Sequence, residues 1–217
     1  MSMSIDKVVC VHGYLSHGLA LSLIKSRLQK EYGFSVRLFS YRSVHGTLED
    51  NARALWRFID DLAVDGTHIV GHSLGGVLAL RLLASEAYRV PGRIVCLGSP
   101  LTGSRAAEIL HAQEWAEKII GHSLPAGVIH AAANDWGSHV CRERDVGIIA
   151  GNLPLGLGRF VASFDEDNDG TIAVSETRLD GARDHMVMPV SHKGLLVSRD
   201  VADQVGAFLK RGQFLRD

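Results

Sequence analysis

The run Gly71-His72-Ser73-Leu74-Gly75-Gly76 sets a serine between glycines two positions to either side. It lies directly after His68-Ile69-Val70 and before the helical stretch Val77 to Ser85. A strand that reverses into a helix within one residue forces that residue into strained backbone angles and crowds its neighbours, and the flanking glycines relieve the crowding. The hydroxyl then stands at the amino end of a helix, where backbone donors and the helix dipole favour negative charge. That is the setting of a nucleophile. A phosphate-binding loop would need Lys-Ser or Lys-Thr after the glycines, or G-x-G-x-x-G spacing, and neither is present.

A serine attacks near neutral pH only with a base beside it, and the base needs a group that holds its tautomer. With eleven histidines in the chain, position must decide. His185 precedes the apolar run Met186 to Val190, whereas His192 follows it. Functional groups of a parallel sheet gather beyond the carboxyl ends of its strands, so His192 is the candidate base. His12 and His72 read as buried histidines that hold their loops. For the acid, Asp165-Glu166-Asp167-Asn168-Asp169-Gly170 offers three aspartates within five positions. The same stretch carries a competing pattern: Asp165, Asp167, Asp169, Gly170, Ile172 and Glu176 match positions 1, 3, 5, 6, 8 and 12 of an EF-hand calcium loop. Such a loop sits between two helices, and here Pro154-Leu155-Gly156-Leu157-Gly158 before it and Gly181 after it favour neither. No metal or organic cofactor is therefore assigned. A calcium-binding protein without chemistry remains the alternative of another class.

These residues require a scaffold, and β-branched runs alternating with helical patterns predict an α/β fold with a mostly parallel sheet of about six or seven strands flanked by helices. The strands fall at Lys7 to Val11, Ser35 to Phe39, Thr67 to Val70, Arg93 to Leu97, Val146 to Ala150 and His185 to Val190. Ala20, Leu21, Leu23, Ile24 and Leu28 form one helical stripe. Thr47 with Asp50 reads as a cap opening a helix that carries Leu55, Phe58, Ile59 and Leu62. A last helix from about Ser198 to Lys210 presents Val201, Val205, Phe208 and Leu209. Pro189 inside the final strand would put that strand at an edge. Residues 1–217 read as a single domain. Segment 101–145, with Trp115, Trp136, Ile109, Leu110, Ile119 and Ile120, reads either as a small cap or as helix packed on the sheet, and any lid is minimal.

Charge narrows the partners. The formal net charge of -1, from 23 basic and 24 acidic residues spread along the chain, leaves no basic stripe for nucleic acid. No apolar run reaches the roughly 20 residues of a membrane span, so no stable membrane insertion is expected. The start lacks a leader pattern and the three cysteines cannot all pair within one chain, which predicts a reduced, cytoplasmic setting. The oligomeric state is not encoded in any visible pattern.

Val-His-Gly-Tyr at 11 to 14, Gly-His-Ser-Leu-Gly-Gly at 71 to 76 and Gly-Ser-Pro at 98 to 100 resemble the lipase and esterase branch of the α/β-hydrolases, and the likeness extends over nearly the whole chain. The resemblance implies ester cleavage through a covalent acyl-enzyme, with thioester cleavage or acyl transfer as alternatives using the same groups. It implies the chain order serine, acid, histidine. Asp169 before Gly170 and the short apolar stretch at Thr171-Ile172 resembles the family's acid loop, giving Ser73, His192 and Asp169 as the triad. The oxyanion donors carried over are the backbone N–H groups of Tyr14 and Leu74, with His12 and Leu15 beside the pocket. The partner implied is a small-molecule or lipid ester.

Overall fold

A computed structural model describes residues 5–62, 65–85, 91–111, 128, 132–155 and 165–216. Six strands form one sheet: β1 (Lys7–Val11), β2 (Ser35–Phe39), β3 (His68–His72), β4 (Ile94–Leu97), β5 (Val146–Gly151) and β6 (Asp184–Met188). Their order is β2-β1-β3-β4-β5-β6, and every neighbouring pair is parallel. After β1 the chain steps outward to β2, then returns to lay β3 on the other side of β1. The connections that leave β1 and β3 thus diverge, which opens a crevice at their carboxyl ends.

The helices are α1 (Ser22–Tyr32), α2 (Leu48–Asp60), α3 (Leu74–Leu83), α4 (Arg105–His111), α5 (Ala132–Glu143), α6 (Gly194–Val197) and α7 (Arg199–Arg211). Period-two alternation in β1 decides what each face receives: Val9 and Val11 join one core, Val8 and Cys10 the other. The first core takes Leu48, Ala52, Leu55 and Ile59 of α2, the buried length of α3, and Val140 of α5. The second takes Ile24 and Leu28 of α1 with Val201, Val205 and Phe208 of α7. Arg27 clasps Asp203 with two nitrogens at 2.8 and 2.9 Å and so ties α1 to α7.

Local signals hold where a side chain caps a helix. Thr47 Oγ1 accepts the Asp50 N–H at 3.0 Å and donates its own proton to the Asp50 carboxylate at 2.7 Å. That hydroxyl, with Arg53, keeps the Asp50 carboxyl below its ordinary range. α7 starts on Ser198 and ends on left-handed Gly212.

Strand ends differ from the sequence reading. β3 starts at His68 and runs on through Gly71 and His72, and β4 starts at Ile94 rather than Arg93. The last strand is Asp184–Met188, not His185 to Val190. Pro189 has no N–H for the ladder, the Val190 N–H turns back to the Met188 carbonyl at 2.8 Å, and Leu153 resumes contact through the Val190 carbonyl at 3.2 Å. β6 is an edge strand, as expected, but Pro189 lies beyond it. In the 101–145 segment, Trp115, Ile119, Ile120 and the side chains of Ile109 and Leu110 lie outside the described residues. Trp136 packs on the first core beneath Arg81, whose guanidinium is 5.7 Å from the ring centre.

Three interior histidines set the acid stability of this fold. Burial pushes His68 and His185 down to about 4 and His72 down to about 3, from an ordinary 6.5. An unfolded chain takes up these protons below pH 6.5 while the folded chain refuses them, so their contribution is complete above 6.5 and lost as pH falls towards 4. The melting temperature is expected to decline steadily across that window. Unfolding at pH 5 should take up at least about two protons per molecule, measurable by calorimetry in buffers of different ionisation enthalpy.

Candidate active site

Ser73 sits between β3 and α3 with φ 53° and ψ −125°, a positive φ that a non-glycine residue adopts only under constraint. The constraint comes from backbone packed against backbone. A Cβ on Gly71 would lie 2.4 Å from the Gly76 nitrogen, and one on Gly75 only 2.3 Å from the Val11 carbonyl oxygen. The two glycines let the first turn of α3 sit on the ends of β1 and β3. The Ser73 N–H donates to the Leu97 carbonyl at 2.8 Å. Leu74 opens α3, so its N–H is among those a helix leaves without an internal partner.

The turn after β1 lies against this bend: a Cβ on Gly13 would be 2.9 Å from the Ser73 Cβ and 3.1 Å from His72 Nδ1. His12 is 1% exposed and uses both ring nitrogens on backbone. Its Nδ1–H donates to the Gly13 carbonyl at 2.7 Å, and Nε2 accepts the Tyr41 N–H at 3.2 Å. The Tyr41 hydroxyl donates to the His12 carbonyl at 3.0 Å, and the two rings stack 4.4 Å apart. Burial keeps His12 below its ordinary pKa, and the neutral ring suits both bonds. His12 is thus a brace inside the loop rather than a pocket wall. Tyr14 packs against the first core, with burial raising its phenol, while Leu15 is 69% exposed.

Across the crevice, His192 follows β6 and faces Asp169. Its Nδ1 stands 2.6 Å from Asp169 Oδ2, and its N–H donates to the Asp169 carbonyl at 2.8 Å. The carboxylate is 1% exposed, and its other oxygen accepts the N–H groups of Thr171 at 2.9 Å and Ile172 at 2.7 Å. Nδ1–H therefore points at the acid, which leaves Nε2 as the lone-pair nitrogen. The Asp169 and His192 pairing is direct. Ser73 and His192 share the carboxyl edge through His72: Nε2–H of His72 donates to the His192 carbonyl at 3.0 Å, and the two rings stand 4.6 Å apart. Among the described residues the Ser73 hydroxyl makes no hydrogen bond. A cavity of about 760 Å³ lined by His68, Arg93 and Lys210 opens at the opposite edge of the sheet, remote from Ser73.

The supporting roles of Gly98 and Glu176 were not legible beforehand. Gly98, with φ +54°, lies under the pair: a Cβ there would be 3.0 Å from Asp169 Oδ2 and 3.2 Å from His192 Nδ1. Glu176 is buried, with one oxygen accepting the Arg105 N–H and Nε–H and the other the Ala173 N–H. Arg105 also meets Glu166 at 2.5 Å. Glu176 and Asp169 are two of the six calcium-pattern positions, and both are committed to protein donors. Among the described residues no three His, Cys, Asp or Glu side chains converge on a metal position. The only sequence signal for Glu176 was its place in the calcium pattern; the signal for Gly98 was only the short Gly-Ser-Pro run.

The chain matches no protein-family profile and no curated protein. Solved structures share its architecture. A mature lipase of Bacillus licheniformis aligns over 98% of this chain and 94% of its own at 18% identity, TM-score 0.76. A thermophilic esterase of Thermogutta terrifontis aligns over 95% and 90% at 15% identity, TM-score 0.63. A meta-cleavage product hydrolase of Pseudomonas fluorescens aligns over 96% and 92%, also at 15%, TM-score 0.60. Likeness at such identity speaks for the path of the backbone alone, and with the all-parallel six-stranded sheet it assigns the architecture: this chain has the α/β-hydrolase fold.

Proposed function

We propose that residues 1–217 form one catalytic domain that hydrolyses carboxylic esters, with Ser73 as nucleophile, His192 as base and Asp169 as the group that orients it. The observation that carries this reading is the 2.6 Å contact of His192 with a buried carboxylate, at the same sheet edge as a serine held at positive φ. His192 Nε2 takes the Ser73 proton as Oγ attacks the ester carbonyl, and the Asp169 charge stabilises the imidazolium that forms. The tetrahedral oxygen falls to the N–H groups of Tyr14 and Leu74, each worth roughly 3 to 4 kcal/mol by precedent. The imidazolium then gives its proton to the departing alcohol, and water attacks the acyl-enzyme with His192 again as base.

Calcium plays no part in this scheme, since the carboxylate it would need is engaged with His192. Thioester cleavage and acyl transfer would use the same groups. Among the described residues no helix is long and apolar enough to cross a membrane. The three cysteines are unpaired, two of them buried, which fits a reducing cytoplasm.

A fluorophosphonate probe tests the reading, because it reacts with serines activated by a neighbouring base. The wild-type chain should be labelled at Ser73 alone, and Ser73→Ala should abolish labelling with the fold intact by circular dichroism. Wild-type chain left unlabelled under native conditions would sink the proposal.

A further inference from the structure

The cavity of about 760 Å³ at the amino ends of the strands takes no part in the chemistry at Ser73. Residues at or just before the starts of five strands line it: Ile5 for β1, His68 for β3, Arg93 for β4, Asp145 for β5 and Arg183 for β6. It is therefore a crevice running across the sheet, over four interstrand spacings of about 4.8 Å each, roughly 19 Å in all. His68 opens β3 and Ser73 follows its last residue, so a five-residue strand rising about 3.3 Å per residue separates the crevice from the serine. A ligand held there stands apart from Ser73.

The two ends of the crevice differ in chemistry. At the β1 end Ile5 and Pro91 meet over Gly66, where a Cβ would lie 2.7 Å from Ile5 Cδ1 and 3.0 Å from the Pro91 carbonyl oxygen. His68 stands beside Ile5; its Nδ1 accepts the Arg93 N–H at 2.8 Å, and burial, which pushes its pKa down to about 4, keeps the ring neutral. In the middle, Arg93 Nε–H donates to Asp145 at 3.0 Å and Nη1–H to the Leu209 carbonyl at 2.9 Å, so those two charges cancel. The β6 end is cationic: Arg142 and Arg144 at the close of α5 and Arg183 before β6 line it, against the carboxylate of Glu143. Part of the charge around the crevice serves the fold, since Arg142 and Lys210 lie in the last turns of α5 and α7 and offset the negative ends of those helices. Arg144 and Arg183 lie outside any helix, and among the described residues neither Arg142 nor Arg183 forms an ion pair. The whole chain has a net charge of -1, so this concentration of cations in one concave place is local.

We infer that this crevice binds an organic phosphate, with the phosphate groups at Arg142, Arg144 and Arg183 and an apolar body towards Ile5 and Pro91. Arginine suits phosphate because its planar guanidinium presents paired donors to two oxygens and is weakly hydrated. A volume of about 760 Å³ lies in the range of small-molecule pockets and exceeds what phosphate or pyrophosphate alone would fill. A nucleotide has the matching polarity, with phosphates in line at one end and a flat base at the other. The concave form favours such a molecule over the broad surface of an anionic membrane. The inference does not depend on the hydrolase reading.

Isothermal titration calorimetry at fixed ionic strength and without magnesium tests it, with ATP, fructose 1,6-bisphosphate and pyrophosphate as probes. The wild-type chain is compared with the double variant Arg142→Gln, Arg183→Gln and with a control, Arg37→Gln, Arg199→Gln, that removes as much charge from β2 and from the start of α7. All four arginines are exposed, so melting temperatures should agree within a few degrees; Arg183→Gln alone, at a turn position, gives the reading if the pair fails to fold. The wild-type chain is expected to bind ATP with a Kd below about 1 mM, at least about tenfold tighter than pyrophosphate. The site variant should lose at least about tenfold for ATP as two charge-assisted contacts go, and the control less than about threefold. Fructose 1,6-bisphosphate bound as tightly as ATP overturns the part given to Ile5 and Pro91. No heat from ATP up to about 10 mM overturns the site, given the millimolar scale of weak binding. A site variant that binds ATP like the wild-type chain places the ligand elsewhere, and a control that loses as much reveals only a general field; either result overturns the inference.

Discussion

Exchanging Ser73 for alanine is expected to lower kcat for p-nitrophenyl butyrate by about 10⁶-fold, and exchanging His192 for alanine to lower it by about as much. The double variant should be no slower than either. The two groups act as one unit: without the imidazole the hydroxyl keeps its proton, and without the hydroxyl the imidazole has nothing to deprotonate. A residual rate over water should survive in all three, because neither substitution removes the backbone donors at Tyr14 and Leu74. The fold should survive as well, since the His192 backbone bonds to Asp169 and His72 do not involve its side chain. Steady-state kinetics with circular dichroism check this. Losses that multiply in the double variant would mean that Ser73 and His192 serve separate steps, which contradicts the mechanism.

Exchanging Asp169 for asparagine is the more discriminating case, with an expected loss of about 10⁴-fold in kcat. The surroundings dictate how the new amide lies. The N–H groups of Thr171 and Ile172 claim one oxygen of the carboxylate, so the amide oxygen turns to them and the NH₂ group faces His192 Nδ1. A donor there forces Nδ1 to accept and moves the ring proton to Nε2, the nitrogen that must take the serine proton. Substrate binding should be little changed, so the loss belongs in kcat rather than KM. Nitrogen-15 shifts of the His192 ring would show the exchanged tautomer directly. Full activity in this variant would transfer the orienting role to another acid.

The sheet and most helices were legible because burial writes simple patterns: a continuous apolar run where a strand is covered on both faces, as at Val8 to Val11, and spacings of four and three at Leu48, Ala52, Leu55 and Ile59 where a helix is covered on one. The end of β6 was misread because valine at 190 extends an apolar run that Pro189 has already interrupted; hydropathy registers the residue and misses the lost donor. The bend at Ser73 was legible because strain there requires glycines at fixed offsets. His192 was chosen from its place after the last strand, and Asp169 from the resemblance to the family's acid loop; the structure sets the two 2.6 Å apart. The roles of Gly98 and Glu176 and the partner of the buried His72 were hidden, because each depends on an encounter between segments distant in sequence: Gly98 with the loops at 169 and 192, His72 with a carbonyl 120 positions on, Glu176 with Arg105. Local periodicity carries no trace of such meetings.

The bond from His72 to the His192 carbonyl has a mechanical consequence. The proposed base, His192, hangs behind an edge strand, and edges of a sheet are where opening fluctuations begin. His72 closes β3, near the middle of the sheet, and its neighbour is the serine. Breathing of β6 can therefore slacken the outer margin of the molecule while the backbone of His192 stays tethered to the middle of the sheet, so the alignment of the proposed pair is governed by the interior and shielded from the periphery.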